Sequence, residues 1–151
     1  MRRFLAVAVV STAFIAAVAQ AALLKPDAMI KARQGMMEAV SLQVSNLADV
    51  AKGTTPLSPA AAEAAANVAG LAHALKTTYV PGTESLPGSN AKPAAFTNSK
   101  DFLAGYDRLA DQAGKIEAAA KAGNMDDFKK EFQALGQVCG ACHKNFRNSN
   151  S

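Results

Sequence analysis

Apolar residues recur at helical spacing in four segments of this chain, separated by proline, glycine or polar breaks. The first is predicted over residues 28–52 and stops at Gly53. Its inward stripe is Ile30, Met37, Val40, Val44 and Leu47, at steps of seven, three, four and three. Arg33 lies on the same stripe. The second is predicted over residues 59–79, with Ser58 as N-cap and Pro59 at the first helical position, and turns Ala64, Val68, Leu71 and Leu75 inward. Residues 80–97 hold Pro81, Pro87 and Pro93 together with Gly82 and Gly88, so no regular element is expected there. An ordered connection of that length often has a function of its own. The third helix is predicted over residues 99–122, with Phe102, Tyr106, Leu109 and Ile116 on one face. Gly123 ends it and Asn124 caps a fourth over residues 125–147. Asp126 and Asp127 in the fourth helix's first turn, and Lys144 and Arg147 in its last, suit the helix dipole. No alternating β pattern competes. The expected fold is all-α: an antiparallel up-down four-helix bundle with helices of roughly 30–35 Å.

Composition alters this picture at the N-terminus. The stretch MRRFLAVAVVSTAFIAAVAQA has Arg2 and Arg3, an uncharged apolar run, and then small residues. That layout predicts a secretory signal peptide over residues 1–21, cut after Ala21 or after Ala19, with the folded domain in residues 22–151. Without Arg2 and Arg3 the formal charge falls from +4 to +2, so the basic balance is no evidence for a nucleic-acid partner. No Lys/Arg cluster interleaved with aromatics appears, and no later apolar run is long enough to span a bilayer. The mature chain is expected to be exported and soluble. With much alanine and no tryptophan, its core would have room for a bulky prosthetic group.

The candidate chemistry lies in the fourth segment. Phe128, Phe132, Leu135, Cys139, Cys142 and Phe146 follow one another at steps of four, three, four, three and four, which puts both cysteines on the buried stripe. Cys139 and His143 are four residues apart, so two thiols and an imidazole share one face. The sequence C-x-x-C-H is the attachment signature of c-type haem. Two thiols must reach two vinyl groups along one porphyrin edge while the imidazole reaches the iron. A disulfide between Cys139 and Cys142 within a helix would be strained and would leave His143 unexplained. A thioredoxin-like pair expects a strand before the helix, and a zinc site needs a fourth ligand. The other histidine, His73, falls off the Val68/Leu71/Leu75 line and is expected at the surface.

The face of the haem opposite His143 must then be met from another helix. Met29 and Met36 fall off the first stripe and Met125 lies far along the motif helix, which leaves Met37 facing the core. It can be a ligand, a steric cover or plain packing. Arg33, one turn earlier, needs an anionic partner on an apolar stripe, and a haem propionate would be one. Arg147 is one turn beyond His143, close enough for its charge to weaken the proximal ligand or simply to cap the helix.

On the C-terminal CGACHKNFR, the first-helix KARQGMM and the loop PGTESLPGSNAKPAAF, the sequence resembles the cytochrome c′ family of class II c-type cytochromes, which itself exemplifies the up-down bundle. The resemblance covers essentially the whole mature chain. It implies one covalent haem c per chain, with Cys139 and Cys142 as thioethers and His143 as the proximal iron ligand. It further implies Met37 on the distal side, Arg33 near a propionate and Arg147 beside His143. The family implies a bacterial periplasmic homodimer packed through its first two helices. Its iron is typically high-spin and five-coordinate, and it binds nitric oxide and carbon monoxide, transfers electrons, or both. Related members use a first-helix methionine as sixth ligand and are low-spin electron carriers, which Met37 would allow here. An apolar distal pocket would hold oxygen poorly, and no distal His or Arg is offered for peroxide cleavage, so oxygen carriage and enzymatic turnover are not expected.

Overall fold

The computed structural model describes residues 25–80 and 82–148, so the predicted signal peptide lies outside the described residues. The chain forms α1 (Pro26–Lys52), α2 (Pro59–Lys76), the single turn α3 (Ala94–Thr97), α4 (Ser99–Lys121) and α5 (Met125–Phe146). The four long helices make a closed ring of neighbours in the order α1, α2, α4, α5. Packing is closest between α2 and α4 and between α4 and α5, and sparse between α1 and α5. That loose seam is where the functional site lies.

Local chemistry sets the boundaries. Proline opens both α1 and α2, where its missing N–H is no loss. Asn124 accepts the Asp127 N–H on its side chain and starts α5 immediately after α4. The second helix stops at Lys76, three residues short of the predicted end. There the Thr77 and Thr78 hydroxyls donate back to the Ala74 and Leu75 carbonyls, and Val80 precedes Pro81, which disfavours helical backbone. The extra turn α3 forms inside the segment expected to be irregular. It begins after Lys92, whose N–H bonds the Phe146 carbonyl and ties the loop to the end of α5.

The core is centred on Leu47, Val68, Leu75, Ile116, Phe128 and Leu135, all essentially inaccessible to solvent. On α2 the buried line is Ala61, Ala65, Val68, Ala72 and Leu75, and Leu71 is only partly buried. Alanine takes the inward position because α2 lies close to α4, and the larger Leu71 fits better at the edge. Met29, expected off the α1 stripe, is buried, while Met37 and Val44 on the stripe remain partly open. No helix among the described residues is long and apolar enough to cross a membrane.

Candidate functional site

A cavity of about 690 Å³ opens between α1 and α5, with α4 behind it and the 88–91 loop at one end. Its size is that of a cofactor site, not a packing defect. The α5 wall carries Cys139, Cys142, His143 and Arg147; the α1 wall carries Arg33 and Met37. All six residues singled out in the sequence therefore meet on one cavity. His73 is exposed on α2 and does not line it.

The motif helix presents its groups as the four-three spacing requires. Cys139 and Cys142 are partly buried free thiols, and burial pushes both upward, so both rest protonated at neutral pH. The Arg108 guanidinium on α4 draws Cys142 partly back. His143 is held below its ordinary value, first by burial and then by the neighbouring Arg147 charge, which favours the neutral imidazole a metal needs. Arg147 ends α5 with its N–H on the His143 carbonyl. Gly105 on α4 faces Cys142, and a Cβ there would stand 3.6 Å from the Cys142 sulfur. No strand precedes the motif among the described residues, and no cluster of three or more His, Cys, Asp or Glu gathers there. The redox-pair and zinc arrangements find no support in the geometry.

On the α1 wall, Met37 is the one methionine lining the cavity among the described residues, and Met36 packs against the core. Arg33 is only 6% exposed and is held from several sides. Its Nη2 donates to the Thr78 carbonyl at 2.7 Å and to the Thr83 hydroxyl at 3.1 Å, and its Nε reaches the Thr78 hydroxyl at 3.5 Å. The guanidinium carbon lies 3.8 Å from the centre of the Tyr79 ring. Burial presses its pKa down, and no carboxylate pairs with it among the described residues.

Two phenols complete the wall. The Tyr106 hydroxyl donates to the Tyr79 hydroxyl at 2.9 Å, and burial raises both above the usual phenol value, Tyr106 the more strongly. The Tyr79 and Phe102 rings meet edge to face at 4.5 Å, and Phe102 meets Phe146 at 5.1 Å. These aromatics link the loop, α4 and the motif helix in one packed group.

Sequence reasoning found the six wall residues but missed Thr78, Tyr79, Thr83, Ser89 and Arg108. A signal for two of them was present: each Pro-Gly pair of the loop is followed by a hydroxyl residue, in Pro81-Gly82-Thr83 and Pro87-Gly88-Ser89.

The cavity fits a haem on three independent grounds. It has the volume of a cofactor site, and it has two thiols and a neutral imidazole on one wall. It also has two buried donors, Arg33 Nη1 and Ser89 Oγ, without partners. Comparison with known proteins gives the same answer. The family model described as Cytochrome C′ matches residues 28–147. Cytochrome c′ of Rubrivivax gelatinosus is 32% identical, over 82% of this chain and 96% of that protein. Cytochrome c-556 of Agrobacterium tumefaciens is 33% identical over 78% of this chain and 95% of its own length. Among solved structures, the Rubrivivax gelatinosus cytochrome c′ superposes with a TM-score of 0.74 at 31% identity, covering 82% of this chain and 98% of that one. A nitric oxide complex of a cytochrome c prime variant from Alcaligenes xylosoxidans gives 0.75 at 27%, covering 83% and 98%. The chain, a helical bundle built around a C-x-x-C-H cavity, belongs to the cytochrome c′ family and takes a covalent haem c as its cofactor.

Proposed function

We propose that this chain is an exported, periplasmic haem protein whose iron is five-coordinate, binds nitric oxide or carbon monoxide and exchanges electrons with a partner protein. Cys139 and Cys142 would hold the haem through two thioether bonds, and His143 would be its single protein ligand. The observation that carries this reading is the cavity itself, with the motif on one wall and Met37 facing it from another helix. When bound, haem c supplies an iron that takes up or releases one electron and accepts a small diatomic gas at an open position.

The chain's own residues account for the rest. Met37 is the steric cover on the α1 side, held back by the packing of α1 into the core, and thioether sulfur is a weak ligand when crowded. Arg33 supplies a buried positive charge toward a propionate. Arg147 sits where its charge disfavours imidazolate character in His143 and so keeps the proximal bond weak. The predicted signal peptide over residues 1–21 supports the periplasm as destination. A homodimer packed through α1 and α2 follows the family, and Leu42 on α1, 61% exposed, is an apolar side chain that such an interface would cover.

A second reading makes Met37 the sixth ligand of a low-spin electron carrier. It is favoured by Met37 being the one methionine on the cavity among the described residues. Carbon monoxide titration of the reduced protein separates the two. The first reading predicts one equivalent bound per chain in wild type, and faster binding in Met37→Ala. Binding that begins only once Met37 is replaced establishes the second.

A further inference from the structure

The half of α5 that carries the haem motif is weakly held by packing. Phe128 and Leu135 are the buried side chains of this helix, while Cys139, Cys142, His143 and Phe146 are only partly buried. The α1–α5 seam beside them is sparse. Gly136 and Gly140 lower the helix propensity of the same stretch, and a Cβ at either would meet nothing within 4 Å. Helices draw most of their stability from tertiary contacts, so this end needs support from elsewhere.

One loop residue supplies it. The end of α5 is Arg147 in extended backbone (φ −113°, ψ 137°), not a left-handed glycine such as Gly53 after α1. Its last carbonyls therefore need donors from outside the helix. Lys92 gives two: its N–H reaches the Phe146 carbonyl at 2.8 Å, and its Nζ the Lys144 carbonyl at 2.8 Å. In a continuing helix the Lys144 carbonyl would take the Asn148 N–H, but that N–H goes to the Asn90 carbonyl at 2.9 Å. An antiparallel bridge joins Ala91 to Arg147 between these bonds. Pro93 favours extended backbone at Lys92, and the Lys92 carbonyl accepts the Ala95 N–H at 2.9 Å, which anchors the residue to α3. The ammonium has no carboxylate partner among the described residues and meets the negative end of the α5 dipole.

These bonds fall on the turn that bears His143. The His143 carbonyl takes the Arg147 N–H at 3.0 Å, and the next carbonyl along is the one the ammonium holds. We propose that Lys92 is a positioning residue for the proximal ligand: it clamps the last turn of α5 and so fixes where the His143 imidazole stands. Lys92 does not line the cavity and acts only through that turn. The clamp rests on the five-coordinate haem reading and deepens it, because an iron with one protein ligand depends on the placement of that ligand alone.

The test uses the reduced, gas-free holoprotein and reads the iron–histidine stretching band by resonance Raman, with amide hydrogen exchange over residues 143–148 as a second signal. Lys92→Met removes the ammonium but keeps the backbone bonds to Phe146 and Ala95, so the fold is retained. Its band should broaden and move from the wild-type position. Exchange should speed up by on the order of tenfold, as expected for losing one hydrogen bond from a charged group. Lys92→Arg should restore both. Lys144→Met removes a charge next to His143 in sequence but leaves the Lys144 carbonyl with Lys92, and its band should stay that of wild type. An unmoved band in Lys92→Met, whether or not exchange speeds up, would make Lys92 a plain helix cap and overturn the clamp. A band that moves as far in Lys144→Met as in Lys92→Met would show an effect of charge alone and overturn it too. A wild-type protein that shows no iron–histidine band when reduced refutes the five-coordinate reading instead, before any variant is compared.

Discussion

With Cys139 and Cys142 both replaced by serine, the chain is expected to lose covalent haem completely. The two sulfurs are the only cysteines in the sequence and lie on one wall of the cavity, one helical turn apart. Serine hydroxyls cannot form thioethers, so the polypeptide mass under denaturing conditions should be that of the bare chain. Any haem retained through His143 should extract fully into acidified organic solvent. A single replacement should leave one thioether and a haem that still resists extraction. A haem-bearing mass in the double variant would show that attachment does not use these residues.

The second large effect lies far from the cavity. Phe128 is fully buried near the start of α5 and is among the largest side chains in the core. Its truncation to alanine should cost about 3–5 kcal/mol, the range for a buried aromatic whose site cannot collapse. Whole domains of this kind are stable by about 5–15 kcal/mol, so the variant should unfold at markedly lower denaturant. Followed by far-ultraviolet circular dichroism, the midpoint should fall clearly, while the haem spectrum of the folded fraction stays that of wild type. An unchanged midpoint would mean that the two ends of the bundle are not stabilised by a common core.

Much of this was legible in the chain because helical periodicity and haem attachment leave strong local signals. The step pattern from Phe128 to Phe146 fixed both the helix and the face its cysteines share. Arg33 and Met37 stood out because each breaks or marks an apolar stripe. What was not legible depends on contacts between distant residues. Nothing near Leu71 says that Ala72 should take the inward place; that follows from how near α4 lies. The early end of α2 comes from threonine hydroxyls competing for backbone carbonyls, a choice too weak to read against a good helical pattern. Thr78 and Thr83 reach Arg33 across 45 and 50 residues of sequence, and no local pattern encodes such a bond.

In the proposed function the iron is held by His143 alone, with Met37 near but not bonded. The visible absorption spectrum of the reduced, gas-free protein tests this most directly, compared between wild type and Met37→Ala. A broad, unsplit high-spin spectrum is expected in both. A sharp, split low-spin spectrum in wild type that collapses in Met37→Ala would contradict it and make Met37 a ligand.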